Sequence, residues 1–245
     1  MRILGIDIGG SGIKGAPVGT KKGRFKDDRY RIPTPQPSKP EPVADGVAEI
    51  VEHFDWQGPI GCTFPAVIKK GVVHTAANVH DDWIGVNGEK LLSKKTGCPV
   101  LLLNDADAAG MAEMKYGAGR GRDGVVFVLT LGTGIGSAIF VDGTLMPNTE
   151  LGHVMMKGRE AEDYASDRIR KEEDLSYKKW GRRLNEYLSM LEFLFSPDLF
   201  ILGGGVSKKH KKYFKHLDIR TPVVPAQLRN KAGIIGAALA AERLV

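Results

Sequence analysis

Cysteine is scarce in this 245-residue chain: Cys62 and Cys98 are the only two. Two cysteines in a chain this size point to reduced thiols and exclude a small secreted fold stapled by disulfides. Long apolar runs are missing as well. None approaches the roughly 20 residues needed to span a bilayer, and residues 1–7 carry no apolar stretch behind a basic segment. The expectation is a cytoplasmic protein without signal peptide or membrane partner. Acid is scarce in one place. Residues 203–231 hold eight Lys and Arg against a single acid, Asp218, so the net charge of +6 is concentrated there. Such a run is either a solvated basic face or a polyanion site. No helix-turn-helix, finger or aromatic-studded strand stands beside it, which argues against nucleic acid as the partner.

Glycine, by contrast, is abundant, with 31 residues. Residues 2–8 alternate and are rich in Ile and Leu, so they read as a strand. They run into Gly9-Gly10-Ser11-Gly12, and residues 13–18 read as a returning strand. Four prolines make residues 34–42 an irregular loop, with a helix expected over 43–54. Strands are expected at 59–64 and 100–103, an extended piece at 69–75, and helices at 86–96 and 107–116. Residues 125–131 repeat the opening pattern: strand, then Gly132-Thr133-Gly134-Ile135-Gly136, then strand again over 137–141. Residues 160–195 read as mostly helical, with Leu184, Leu188, Leu191 and Phe195 on one face and Pro197 as the stop. A strand at 199–202 ends in Gly203-Gly204-Gly205, and residues 232–244 read as a closing helix. The glycine-rich connector at 117–124 is the candidate boundary. It divides the chain into residues 1–116 with 231–245, and residues 117–230.

Glycine turns after strands expose backbone N–H groups and let a ligand approach without a Cβ in the way. Three occur here, with Ser11 and Thr133 adding hydroxyls and Lys14 a charge, which favours phosphate binding over plain hairpin turns. The spacing of a P-loop is absent. A dinucleotide fold needs its glycines to open a helix, yet residues 137–141 continue as strand to a hairpin signal at Asp142-Gly143.

Phosphoryl transfer to an alcohol also needs a carboxylate to take the hydroxyl proton. Asp105 stands at the C-terminal end of a strand, where α/β proteins place ligands, and Asn104 beside it can bond hydroxyls. Taken alone, Asp105 reads better as a helix N-cap, and Asp107 as a favourable first-turn charge. Asp7 could hold Mg²⁺ through water or simply cap a turn. Glu150 and His153, three apart, could converge on one ligand; without nearby cysteines a polyol fits them better than a metal.

Residues 4–11, Asn104-Asp105-Ala106-Asp107, residues 131–136 and Glu150-Leu151-Gly152-His153 resemble the motifs of the ROK sugar kinases, in the actin and Hsp70 superfamily. The runs 148–153, 203–209 and 220–225 are similar to the polyphosphate-using branch of that family. The resemblance implies a two-lobed actin-like (ribonuclease H-like) α/β fold with its active site in the interdomain cleft. It implies phosphorylation of the 6-hydroxyl of glucose from polyphosphate, and possibly ATP, with Asp105 as base, Mg²⁺ as cofactor and a homodimer. Asn78, Asn104, Glu150, His153 and Glu162 would be sugar ligands together with Asp105. Asp7, Gly9, Gly10, Ser11, Lys14, Thr133, Gly134, Gly204, Lys208 and Lys209 would face the donor. Two departures stand out. Residues 155–162 contain none of the cysteines of the family's zinc motif, so no zinc is expected, and the family's Pro-Gly after its sugar-binding strand is Pro65-Ala66 here. An ATP-dependent kinase of another hexose or an N-acetylhexosamine is the alternative. A sugar-sensing repressor is a more distant one, because it would need a DNA-binding domain ahead of the first strand.

Overall fold

The computed structural model describes residues 1–77 and 79–245 and divides into two compact units, Met1–Ala112 with Lys231–Val245, and Glu113–Asn230. In the first unit β1 (Arg2–Gly9) and β2 (Gly12–Gly19) form an antiparallel hairpin, edged by β3 (Arg24–Phe25) and β4 (Tyr30–Ile32). Next come α1 (Pro40–His53), β5 (Ile60–Phe64), the small hairpin of β6 (Ile68–Lys69) and β7 (Val72–Val73), α2 (Gly88–Thr96), β8 (Val100–Asn104) and α3 (Asp105–Tyr116), whose last turn, from Glu113, belongs to the second unit. The sheet order is β3-β2-β1-β5-β8, with β5 and β8 parallel to β1.

The second unit repeats this plan. Strands β9 (Val125–Leu131), β10 (Ile135–Val141) and β11 (Thr144–Met146) make an antiparallel meander. The short β12 (Met155–Met156) and β13 (Arg159–Glu160) pair as a separate hairpin, followed by α4 (Glu162–Ala165), α5 (Asp167–Glu172) and α6 (Tyr177–Phe195). Strands β14 (Leu199–Gly203) and β15 (Val223–Pro225) then add in parallel, giving the order β11-β10-β9-β14-β15. The chain finally returns to the first unit as α7 (Ala232–Ala240).

Strand β1 shows how period-2 alternation becomes layers. Its even residues Leu4, Ile6 and Ile8 enter the cluster that includes Val43, Val47 and Ile50 of α1 and Leu92 of α2. Its odd residues face α7, which lies so close that a Cβ at Gly5 or Gly61 would overlap the backbone carbonyls of Ile234 and Ala237. Asp7 is on that α7 face, 3.5 Å from where a Cβ on Gly233 would stand.

Two expectations need correction, and a third gains detail. The helix expected from residue 43 starts at Pro40, because proline in a first helical turn forfeits no intrahelical bond. The mostly helical stretch expected over 160–195 is helical, in three pieces. Ser166 and Ser176 accept the N–H groups of Ile169 and Lys179 and so start α5 and α6 afresh. Leu184, Leu188 and Leu191 are buried as expected, but Phe195 is 40% exposed, its ring packed on Phe127 with centres 5.3 Å apart. Both cysteines are buried free thiols, and desolvation pushes the Cys62 thiol far above its ordinary value. Among the described residues no helix is long and apolar enough to cross a membrane.

Candidate active site

In the first unit the C-terminal ends of the parallel strands β1, β5 and β8 bring Asp7, Thr63 and Asn104-Asp105 to one edge, through the register Asp7↔Thr63↔Leu103. Asp7 Oδ1 accepts the Thr63 hydroxyl at 2.8 Å and Oδ2 faces Lys14 Nζ at 3.3 Å. Thr63 is thus a site neighbour that its sequence, a lone hydroxyl in an apolar strand, did not single out.

The turn after β1 is pinned from outside. Arg31 donates to the Ser11 carbonyl at 3.0 Å, Gln36 to Gly10 at 3.1 Å and Thr34 to Gly9 at 2.5 Å. Gly10 and Ser11 themselves are exposed.

The cap of α3 is Asn104. Its Oδ1 accepts the N–H groups of Ala106 at 2.8 Å and Asp107 at 3.1 Å, while its Nδ2 donates to the Ala66 carbonyl at 3.2 Å. Asn104 is buried, and among the described residues these bonds use one of its two amide N–H groups. Capping by Asn104 means that Asp105 is not needed as the N-cap. Asp105 is the first helical residue, its Oδ1 also receives Ala106 N–H at 2.8 Å, and its side chain is exposed. Asn78, a sugar ligand by resemblance, lies outside the described residues.

In the second unit the acids and the histidine gather. His153 Nδ1 lies 2.8 Å from Glu160 Oε2, and its Nε2 lies 3.8 Å from Glu150 Oε2. Glu160 went unnoticed in the sequence. It arrives through the β12–β13 hairpin, whose turn uses positive φ at Lys157 and Gly158; the Lys-Gly pair was the available signal. The Glu160 bond, opposed by desolvation and reinforced by the fields of Glu162 and Glu150, raises the proton affinity of His153 above the ordinary imidazole value. Burial raises Glu150, with His153 working against it and Glu162 with it. The loop carrying Glu150 is fixed by Ser137 of β10, whose hydroxyl donates to the Thr149 carbonyl at 2.7 Å and accepts Leu151 N–H at 3.0 Å.

Glu162 joins this group to the second glycine turn. Its Oε2 accepts Ile135 N–H at 3.1 Å, and a Cβ on Gly134 would overlap the same oxygen, so glycine there makes room for the carboxylate. Trp180, fully buried, holds α4 by donating its indole N–H to the Ala165 carbonyl at 2.9 Å. Arg168 pins the turn itself: its backbone N–H reaches the Gly132 carbonyl at 3.0 Å and its Nε the Thr133 carbonyl at 3.0 Å. Salt bridges to Asp163 at 2.6 Å and Glu172 at 3.1 Å orient the guanidinium. Gly204, with φ of 78°, crosses so near Leu131 that a Cβ would overlap its carbonyl, and Lys208 and Lys209 beyond it are exposed. Ligand atoms of His153, Glu160 and Glu162 lie within 4.8 Å of one another, a set that could hold a cation.

Two units that each carry a glycine-turned hairpin followed by parallel strands define the actin-like class of sugar kinase folds. The ROK family model matches residues 3–173, and the chain belongs to the ROK family. It is 50% identical over 238 residues to a polyphosphate glucokinase of Mycobacterium tuberculosis, covering 97% of this chain and 90% of that protein. The structure of an inorganic polyphosphate/ATP-glucomannokinase from Arthrobacter sp. strain KM superposes with a TM-score of 0.95 at 50% identity, over 100% of this chain and 99% of that one. A ROK family glucokinase from Streptomyces griseus, in complex with glucose and AMPPNP, gives a TM-score of 0.82 at 26% identity, over 99% and 100% of the two chains.

Proposed function

We propose that this chain is a hexokinase-type kinase that transfers the terminal phosphoryl group of inorganic polyphosphate, and also of ATP, to the 6-hydroxyl of glucose. The observation that carries the reading is Asp105, an exposed carboxylate at the end of a parallel strand, relieved of cap duty by Asn104. Asp105 accepts the hydroxyl proton as the sugar oxygen attacks the terminal phosphorus, and the shortened donor leaves with the bridging oxygen. Asn104, Glu150, His153 and Glu162 bond the other hydroxyls. The donor lies on Gly9, Gly10, Ser11, Lys14, Thr133, Gly134 and Gly204, with Lys208 and Lys209 beyond the last turn. The names of the relatives support both the sugar and the donor.

Phosphoryl transfer of this kind uses a divalent cation, here Mg²⁺. Among the described residues each Asp7 oxygen has one hydrogen-bond partner and keeps a lone pair, which suits water-mediated contact with an ion that retains its own waters. When bound, Mg²⁺ neutralises charge on the donor phosphates. The protein works as a cytoplasmic homodimer. Supplying the purified protein with glucose and one donor at a time, and measuring glucose 6-phosphate, tests the reading. Turnover is expected with long-chain polyphosphate and with ATP. Turnover with ATP alone refutes the polyphosphate donor, and none with either refutes the reaction.

A further inference from the structure

The basic run that begins at the Gly203 turn continues, in space, onto a helix that precedes it in sequence. Lys208, Lys209, Lys211 and Lys212 are exposed on the 3-10 segment Gly205–Lys212, which anchors inward through Val206 and Ser207. Lys212 Nζ stands 5.4 Å from the ring centre of Tyr177, the first residue of α6, and that ring stacks on Tyr213 at 6.4 Å and 17°. One turn along, Gly181 brings α6 against the next segment, Phe214–His216: a Cβ there would stand 3.0 Å from His216 Cβ. Asn185 accepts the N–H of Asp218. Residues 178, 181, 182 and 185 share one helical face, so Lys178 and Arg182 flank the line along which that segment packs. Lys215 adjoins them; after desolvation, the fields of Lys215, Lys178 and Arg182 hold His216 below the ordinary imidazole value.

Most acids near this band are engaged with other bases, Glu172 with Arg168, Glu173 with Arg159 and Arg183, Glu186 with Lys157 and Glu192 with Arg220, while Asp174 and Asp218 stand exposed at its margins. Among the described residues, none of the lysines and arginines of this band has a carboxylate partner. Like charges gathered in excess over their counter-acids repel one another, and a long anion relieves that repulsion while releasing its own counterions.

We propose that a long polyphosphate chain, with its terminal unit at the Gly203–Gly204–Gly205 turn, runs over the lysines of Gly205–Lys212 and onto the N-terminal half of α6, where Lys178, Arg182 and Lys215 bind phosphate units remote from the transferred group. The inference rests on the polyphosphate reading above. It separates donors by length: a nucleoside triphosphate or tripolyphosphate ends near the turn, whereas a long chain reaches α6.

The triple variant Lys178→Gln, Arg182→Gln, Lys215→Gln tests it in steady-state assays with long-chain polyphosphate, tripolyphosphate and ATP, each at several salt concentrations. At about two- to threefold per exposed charge removed, KM for the long chain should rise about tenfold. Its salt dependence should flatten by about one log-log slope unit per lost charge. KM for tripolyphosphate, ATP and glucose, and kcat with ATP, should stay unchanged, which also certifies the fold. The charge-preserving pair Lys178→Arg, Arg182→Lys should behave as wild type. An unchanged long-chain KM, or equal rises for all donors, overturns the inference while leaving a polyphosphate-using wild type intact. Wild type that turns over ATP but no polyphosphate sinks the donor reading itself. Single-stranded RNA that competes with long-chain polyphosphate at equal charge concentration and equal salt would assign the band to nucleic acid and overturn the proposal.

Discussion

Asn104 and Asp105 are neighbours with separable duties, and substituting each in turn distinguishes structure from chemistry. Asn104→Ala removes an acceptor shared by Ala106 and Asp107 N–H and a donor to the Ala66 carbonyl. Loss of a helix cap costs about 1 kcal/mol, and stripping a buried carbonyl of its partner about 1 kcal/mol more. A loss of about 2 kcal/mol lowers Tm by about 4–8 °C in a chain of this size. Asp105→Asn keeps the shape and an oxygen able to receive Ala106 N–H. Its Tm should therefore move by less than about 2 °C, while kcat should fall by roughly 10²-fold or more for want of a base. Glucose should still bind. Differential scanning fluorimetry and a coupled assay on the same preparations give both numbers. Asp105→Asn with near wild-type kcat and a clearly lowered Tm would refute the assignment.

Glu160→Gln should lower the midpoint at which His153 titrates, followed by NMR, because the carboxylate favours the charged ring. The sign is fixed: a raised folded-state value stabilises fully below the ordinary histidine range, and that contribution fades as pH rises through the folded midpoint; an unshifted midpoint would refute it. Arg168→Ala frees the Thr133 carbonyl and should raise donor KM about tenfold, equivalent to one lost charge-assisted bond. Lysine should not rescue it, since one ammonium cannot fill a three-way fork. Chelation followed by restored Mg²⁺ should leave Tm and activity unchanged; a fall in Tm would reveal a resident cation among His153, Glu160 and Glu162.

What the sequence showed and what it hid follow from the range of the forces involved. Strand β1 was legible because its alternation is local and its burial simple. The echo of that strand and turn at residues 125–136 foretold the two matching sheets. Pro40 misled, because a proline reads as loop until the helix behind it is known. The breaks at Ser166 and Ser176 were hidden inside a helical composition, although both are ordinary capping residues. Glu160 and Arg168 were out of reach for a different reason. Each acts on a residue that only tertiary packing makes adjacent, seven positions away across a hairpin and 35 positions away across the unit.

The two glycine turns share a device that no single motif contains. A peptide's C=O and N–H point in opposite directions, so holding the carbonyl fixes where the N–H is aimed. In the first turn three carbonyls are held by Thr34, Gln36 and Arg31. In the second, two are held by Arg168, whose own partners Asp163 and Glu172 keep the guanidinium from turning elsewhere. Glycine grants the turn its shape but also the freedom to lose it. A phosphate cradle requires donors already oriented before charge arrives, since reorienting them during transfer would add to the barrier. In the proposed donor site the side chains behind the turns are therefore as much a part of the cradle as the glycines. Replacing them should leave the turn's sequence intact and its function impaired.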